Sequence, residues 1–71
     1  MIINEDILRR DTIQLLKQID MQIAEVERTA KRKGVQSYQL QDDNGNWPLI
    51  PLLLAKSQSY ATLVAVTINK N

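Results

Sequence analysis

The apolar residues in the last third of the chain constrain its fold more than any other feature. Residues 48–68 read as a helix, and Pro48 and Pro51 fit its first turn. Backbone N–H groups in a first turn have no partner within the helix, so proline, which has no N–H, is tolerated there. On a helical projection, the apolar side chains of this segment cover about 200° of the circumference. A helix that packs against one neighbour needs a stripe of only about 100°. The segment is therefore expected to need two neighbours.

The apolar face of this predicted helix is wider than its outer face. Its apolar arc comprises Leu49, Ile50, Leu52, Leu53, Leu54, Tyr60, Ala61, Leu63, Val64 and Ile68. Its modest outer face comprises Ala55, Gln58, Ser59 and Thr62. We expect one side of the arc to pack against the first helix of the same chain and the other side to pack against a further neighbour.

The first helix is predicted from its two ends. Asn4 is a favourable N-cap residue, and the basic residues at 31–33 precede Gly34, which is typical of a helix C-terminus. The helix is therefore expected to run from about Glu5 to about Lys33, a length of roughly 43 Å. Its core stripe is predicted to comprise Leu8, Thr12, Leu15, Leu16, Ile19, Ile23, Val26 and Ala30.

The connector between the helices, at about 34–47, shows two short patterns. Residues 38–41 alternate apolar and polar, which indicates an extended stretch. Residues 42–46 read Asp-Asp-Asn-Gly-Asn, which is typical of a turn. A minimal β-hairpin and an extended loop are both compatible with these patterns. Its aromatic residues, Tyr38 and Trp47, either cap the end of the helices or anchor a partner.

The small size of the chain makes oligomerisation the expected source of extra stability. A chain of 71 residues buries only about 60% of the surface that it exposes when unfolded. Domains of this size usually depend on disulfides, a metal or another subunit. The sequence contains no cysteine and no histidine, so another subunit is the expected support.

These features together predict an all-α fold. Residues 1–71 are expected to form one antiparallel two-helix hairpin, with helices at about 5–33 and 48–68 and an extended or β-like connector. The hairpins are expected to assemble into a helical-bundle homo-oligomer, either a dimer or a larger ring. The predicted oligomer interface comprises Leu49, Leu53, Ser57, Tyr60, Ala61, Val64 and Ile68.

The general plan of two long helices per chain resembles that of small four-helix-bundle dimers such as the plasmid RNA-binding Rop-type proteins. The connector of about a dozen residues departs from that plan. The resemblance is therefore limited to architecture, and no functional residue is carried over from it.

Lys56 is the most unusual residue of the second helix, because it lies within the apolar arc. Tyr60 follows it by one helical turn on the same side. In one interpretation, the Lys56 stem covers apolar surface while its amine reaches water or pairs with an acid of the first helix. In the other, Lys56 and Tyr60 line a subunit-interface pocket that binds a phosphate or carboxylate.

Arg10, Lys17 and Arg28 form a second candidate ligand-binding set, on one line of the first helix opposite its core stripe. With the basic residues at 31–33, they form a possible track for a nucleic-acid backbone. The alternative is a solvated face with local ion pairs. The predicted pairs at helical spacing are Asp6 with Arg10, Glu25 with Arg28, and Glu27 with Lys31.

Catalysis, metal binding and cofactor binding are not expected. The chain lacks histidine and cysteine, and its acids lie mostly on polar helix faces or in the turn. A calcium loop of the EF-hand type starting at Asp42 would need glycine at position 47 and an acid at position 53, where Trp47 and Leu53 stand.

The expected function is that of a small oligomeric regulatory protein that binds a protein partner stoichiometrically. The alternative is an anion-binding oligomer that binds RNA or captures a nucleotide between subunits. The net charge of +1 demands neither nucleic acid nor an acidic membrane surface. Residues 1–10 lack the pattern of a signal peptide, and Lys56 opposes a membrane span, so a cytoplasmic location is expected.

Overall fold

The computed structural model describes residues 4–68, and these form an all-helical hairpin. Helix α1 spans Glu5–Lys33 and helix α2 spans Leu49–Ile68, with a short 3₁₀ helix at Ser37–Gln39 between them. The two long helices pack along one another in a body of 48 × 18 × 16 Å, whose long axis matches the length of α1. The predicted two-helix hairpin is confirmed, and α2 begins at Leu49, one residue after the predicted start.

Helix α1 begins and ends where its capping residues predict. The Asn4 side chain accepts backbone N–H bonds of 3.0 and 3.2 Å from the first turn. At the other end, Gly34 adopts a left-handed conformation, with φ of 72°. The Val35 N–H then donates to the Ala30 carbonyl at 3.0 Å, which closes the last turn. Both termini are therefore satisfied by local hydrogen bonds, as the capping patterns require.

The core of the hairpin is thin. Its buried residues are Thr12, Leu16, Ile19 and Ala30 on α1, Leu40 in the connector, and Leu49, Ser59 and Val66 on α2. Within residues 4–68, no large side chain is less than 2% exposed. One contact between two helices therefore supplies nearly all of the apolar burial.

Three residues lie on a different side from the one predicted. Leu15, expected in the core, is 48% exposed, and Ser59, expected on the outer face, is only 8% exposed. Leu49, expected in the oligomer interface, is buried within the hairpin. The burial of Ser59 and Leu49 follows from the rotation of α2 about its axis, because α1 meets the side of α2 that carries Ser59 and Val66 rather than the broadest apolar side.

The connector contains a helical turn where an extended or β-like stretch was predicted. The Gln39 N–H donates to the Gln36 carbonyl at 2.9 Å, and the Gln36 N–H donates to the Gln39 side chain at 3.1 Å. No strand forms anywhere in the described range. An alternation of four residues does not produce a strand without a second strand to pair with it. The turn instead places Leu40 in the core.

The predicted turn at 42–46 is present and is closed by the side chain of Asp42. This carboxylate accepts the backbone N–H groups of Asn44 at 2.9 Å and Asn46 at 3.0 Å. Gly45 has a φ of 80°, a conformation that glycine adopts without steric cost. The acidic turn is therefore held by hydrogen bonds among its own residues.

Candidate interaction surface

The side of α2 that faces away from α1 is a continuous exposed apolar surface. We call it the α2 outer face, and it comprises Ile50, Leu53, Leu54, Ser57, Tyr60, Ala61, Val64, Ala65 and Ile68. Its large apolar side chains are between 49% and 66% exposed. It extends over the 19 residues from Ile50 to Ile68, whose Cα atoms are about 27 Å apart along the helix. Soluble monomers rarely leave an apolar surface of this extent uncovered.

This surface exists because α1 has room for only one side of α2. The residues of α2 that are wholly or partly covered by the hairpin are Leu49, Leu52, Ala55, Lys56, Ser59, Leu63 and Val66. They occupy about 120° of the α2 circumference, close to the width that one neighbouring helix covers. The remaining apolar residues therefore face solvent. Of the residues predicted for the oligomer interface, all but Leu49 lie on the α2 outer face.

The α2 outer face carries no charge. Lys56 is the single charged residue of α2, and its side chain turns toward α1, where its Nζ lies 2.7 Å from Oδ1 of Asp20. Of the two interpretations of Lys56, the structure thus shows pairing with an acid of the first helix. The same Nζ lies 6.0 Å from the centre of the Tyr60 ring.

The pairing raises the pKa of Lys56 above its ordinary value. The main cause is the hydrogen bond to Asp20, helped by the negative potential of Asp20, Tyr60 and Glu27 and opposed by partial desolvation. The ammonium is therefore held in its charged form by the protein itself. Its nearest anionic group is already a carboxylate of the same chain, which leaves it poorly placed to bind an external phosphate or carboxylate.

The basic residues predicted to bind a ligand are exposed on α1, but they do not form one site. Arg10 and Lys17 line a shallow groove, whereas Arg28 lies 18 residues beyond Arg10, about 27 Å along the helix. Arg28 lines a second groove and forms the predicted ion pair with Glu25, whose pKa this pairing lowers. In the described part of the chain, no ion pair joins Glu27 to Lys31.

Arg9 belongs to the groove that contains Arg10 and Lys17, and the sequence pattern did not reveal it. It pairs with Asp6 at 3.3 Å, where a pair between Asp6 and Arg10 was predicted. Its Nε and Nη2 atoms are shielded from solvent, yet they make no hydrogen bond within residues 4–68. Its position beside the core stripe, seven residues before Leu16, was the available signal that this guanidinium would be partly covered.

The two aromatic residues of the connector are exposed near the end of the hairpin. Tyr38 is 60% exposed and Trp47 is 47% exposed. Exposed tyrosine and tryptophan side chains are frequent anchors in protein interfaces. Neither aromatic side chain is buried by the hairpin.

Two further observations concern metal binding and membrane insertion. Within residues 4–68, no three acidic, histidine or cysteine side chains converge on a common point. By length and composition alone, α2 meets the criteria for a membrane-spanning helix, as core helices of soluble proteins also do. Only 17% of its apolar stretch is buried inside the hairpin, which again shows how much apolar surface is uncovered.

Comparison of the chain with protein-family models, curated proteins and solved structures found no match. The interpretation of the α2 outer face therefore rests on the geometry, charge and exposure of its own residues.

Proposed function

We propose that the chain is a small homo-oligomeric protein that acts by stoichiometric binding to a protein partner rather than by catalysis. The observation that supports this proposal is the uncharged, exposed α2 outer face, which runs the length of α2. Removing apolar surface from water contributes about 25 cal/mol per Å². A face of this size therefore has a strong tendency to be covered by another protein surface.

Assembly through α2 would place two hairpins in a four-helix bundle, the architecture that short antiparallel helical hairpins commonly form. The thin core of the single hairpin supports this proposal, because burial between subunits would supply what the chain alone lacks. The cytoplasmic location stays a prediction, supported by the absence of cysteine and by the balanced charge.

The partner-binding region that we propose is the connector end, with Trp47 and Tyr38 as its anchors. Both side chains lie outside the α2 outer face, so they stay accessible when that face is covered by another subunit. Stoichiometric binding through exposed aromatic anchors needs no catalytic group.

The test is a comparison of purified variants immobilised as bait. Wild type is expected to recover a partner in stoichiometric amount, and Trp47→Ala is expected to lose it while its oligomeric state is unchanged. Met21→Ala is the matched control, because Met21 is a large apolar residue of α1 that is 71% exposed. Equal recovery by all three baits, or no specific partner at all, would contradict the proposal.

Anion binding is the second candidate function, and the groove that contains Arg9, Arg10 and Lys17 favours it. Three basic side chains against the single acid Asp6 give this groove a positive lining that is suited to a phosphate. We therefore place this alternative on the first half of α1 rather than at Lys56. The ligand would be RNA or a nucleotide, since both present phosphates to a basic groove.

A thermal-shift titration with a nucleoside triphosphate and with a short RNA tests this alternative. The double variant Arg10→Gln, Lys17→Gln is expected to abolish a salt-sensitive rise in Tm that wild type shows. Lys56→Gln serves as the control and is expected to keep that rise, because Lys56 is paired with Asp20. An absence of any shift at low salt would remove the alternative.

A further inference from the structure

We infer that the occupant of the α2 outer face is α2 of a second copy, packed antiparallel about a two-fold axis level with position 59. This inference rests on the proposed homo-oligomer and adds its direction and register. It follows from how the sizes of the exposed side chains are distributed along α2.

Two pairs of residues on the α2 outer face lie symmetrically about position 59. Ile50 and Ile68 lie nine residues to either side, and Ser57 and Ala61 lie two residues to either side. An antiparallel two-fold axis at this level brings Ile50 opposite Ile68 of the second copy, and Ser57 opposite Ala61. The small central pair allows the helices to approach closely where they cross.

The edges of the face have the same centre. On a helical projection, Leu53 and Val64 lie on one edge, and Leu54 and Ala65 lie on the other. The midpoint of each pair falls within half a residue of position 59. A single axis therefore fits the middle of the surface and both of these edge pairs, while Tyr60 projects from the edge that carries Leu53 and Val64.

The direction of packing follows from the taper of this surface. Its first half carries Leu53 and Leu54, whereas its second half carries the smaller Val64 and Ala65. Antiparallel packing sets each leucine against a smaller residue, so the spacing between the helices stays even. Parallel packing would set leucine on leucine at one end and alanine on alanine at the other, and would leave voids at the narrow end.

Charge and area both favour a second copy as the occupant. The face has no charged residue to attract a charged partner or to repel its own copy, because Lys56 is paired with Asp20. A specific interface needs about 800 Å² from each partner. That is about one-seventh of the 5680 Å² exposed by the hairpin, an area that α2 with its flanking residues can supply.

The arrangement can be tested with introduced cysteines, because the chain has none of its own. Ile50→Cys and Ile68→Cys are prepared separately, one with an affinity tag, and are mixed by unfolding and refolding before mild oxidation. Antiparallel packing predicts a disulfide between the tagged and untagged chains in the mixture and none in either variant alone, where equivalent residues lie about 27 Å apart. Leu54→Cys with Ala65→Cys repeats the test at positions farther from the helix ends.

The outcomes separate this inference from the proposed function. Disulfides in each single variant alone would show parallel packing, and an oligomer without any disulfide would show assembly through another surface; both overturn the inference and leave the homo-oligomer intact. A monomeric wild type in sedimentation, including one that binds lipid vesicles instead, overturns both.

A charge placed at the centre of the interface gives an independent readout. Ala61→Glu brings two carboxylates close to the axis, and we expect it to raise the dimer Kd at least tenfold. Thr62→Glu is the control, because Thr62 is exposed on α2 but lies outside the α2 outer face. Equal Kd values for the two variants would overturn the inference.

Discussion

At the scale of single residues, the ion pair of Lys56 with Asp20 joins the inner side of α2 to α1. A lysine in an apolar arc can either reach solvent or find an acid, and here it finds Asp20 across the hairpin. Rotating α2 to bury its broadest apolar side would separate these two charges. It would also replace the small Ser59 at the helix contact with larger residues.

We expect this pair to make stability depend on alkaline pH. Because the folded-state pKa of Lys56 is raised above its ordinary value of 10.5, its contribution is complete below that pH and is lost as the pH rises through the folded pKa. At fixed protein concentration, the difference in unfolding free energy between wild type and Lys56→Met should be constant near neutral pH and shrink above pH 10.5.

Circular dichroism during urea unfolding measures that difference at each pH. The two proteins differ only at position 56, so the difference reports on the pair of Lys56 and Asp20. Asp20→Asn should behave like Lys56→Met, because either change removes the same hydrogen bond. A difference that stays constant or grows above pH 10.5 would contradict the assignment of the raised pKa to this pair.

The left-handed residue at the end of α1 gives a second prediction. A Cβ at Gly34 would meet no atom within 4 Å, so the cost of a side chain there is confined to the backbone conformation. We expect Gly34→Ala to lower the unfolding free energy by about 1–2 kcal/mol. Gly34→Asn should cost less, since asparagine tolerates this conformation. Urea unfolding measures the loss of unfolding free energy in each variant. Equal losses in the two variants would argue against a conformational cause.

At the scale of the helices, α1 and α2 differ in how well their sequences predict their packing. Helix α1 has one apolar stripe and strong caps, so its range and its main core residues follow from spacing alone. Helix α2 has apolar residues on most sides, so periodicity does not single out the side that meets α1. That choice depends on the fit between two surfaces rather than on either helix alone.

The burial of Ser59 allows a direct test of the observed rotation of α2. A leucine at this position overfills the contact between the helices, and Ser59→Leu is expected to destabilise the hairpin by about 1–3 kcal/mol. Gln58→Leu adds a similar apolar volume one residue earlier, on the exposed side, and should change stability by less than about 0.5 kcal/mol. If Gln58→Leu proved the more damaging change, the rotation would be wrong.

At the scale of the whole molecule, the core of the hairpin is small compared with the apolar surface that the hairpin leaves exposed. The contact between the two helices, with Leu40 of the connector, forms its interior, while the α2 outer face remains exposed. Covering that face with a second copy would turn two thin cores into one bundle core. The stability of such an assembly is inseparable from the concentration of its subunits.

We therefore expect the Tm to rise with protein concentration. For a dimer that unfolds to separate chains, a hundredfold increase should raise the Tm by about 5–10 °C, from mass action on a domain of this size. Scans at several concentrations measure this directly. Ala61→Glu, which is expected to stay monomeric, should melt at a lower temperature that does not depend on concentration. A wild-type Tm independent of concentration would contradict the assembly.

The sequence alone was sufficient for the local structure. The ends of α1 at Asn4 and Gly34, the turn at 42–46 and the pair of Glu25 with Arg28 all depend on residues within a few positions of one another. It was also sufficient for the excess of apolar surface on α2, because the width of an apolar arc can be counted. Interactions of this kind are encoded within one or two helical turns.

The tertiary structure decided which residues occupy each side of that surface. The burial of Ser59 and Leu49 and the contact of Lys56 with Asp20 follow from how α2 is turned against α1. The 3₁₀ turn at Ser37–Gln39 likewise depends on Leu40 reaching the core. A helix with apolar residues on several sides has several similar ways to pack, and only the shape and charge of its neighbour select one of them.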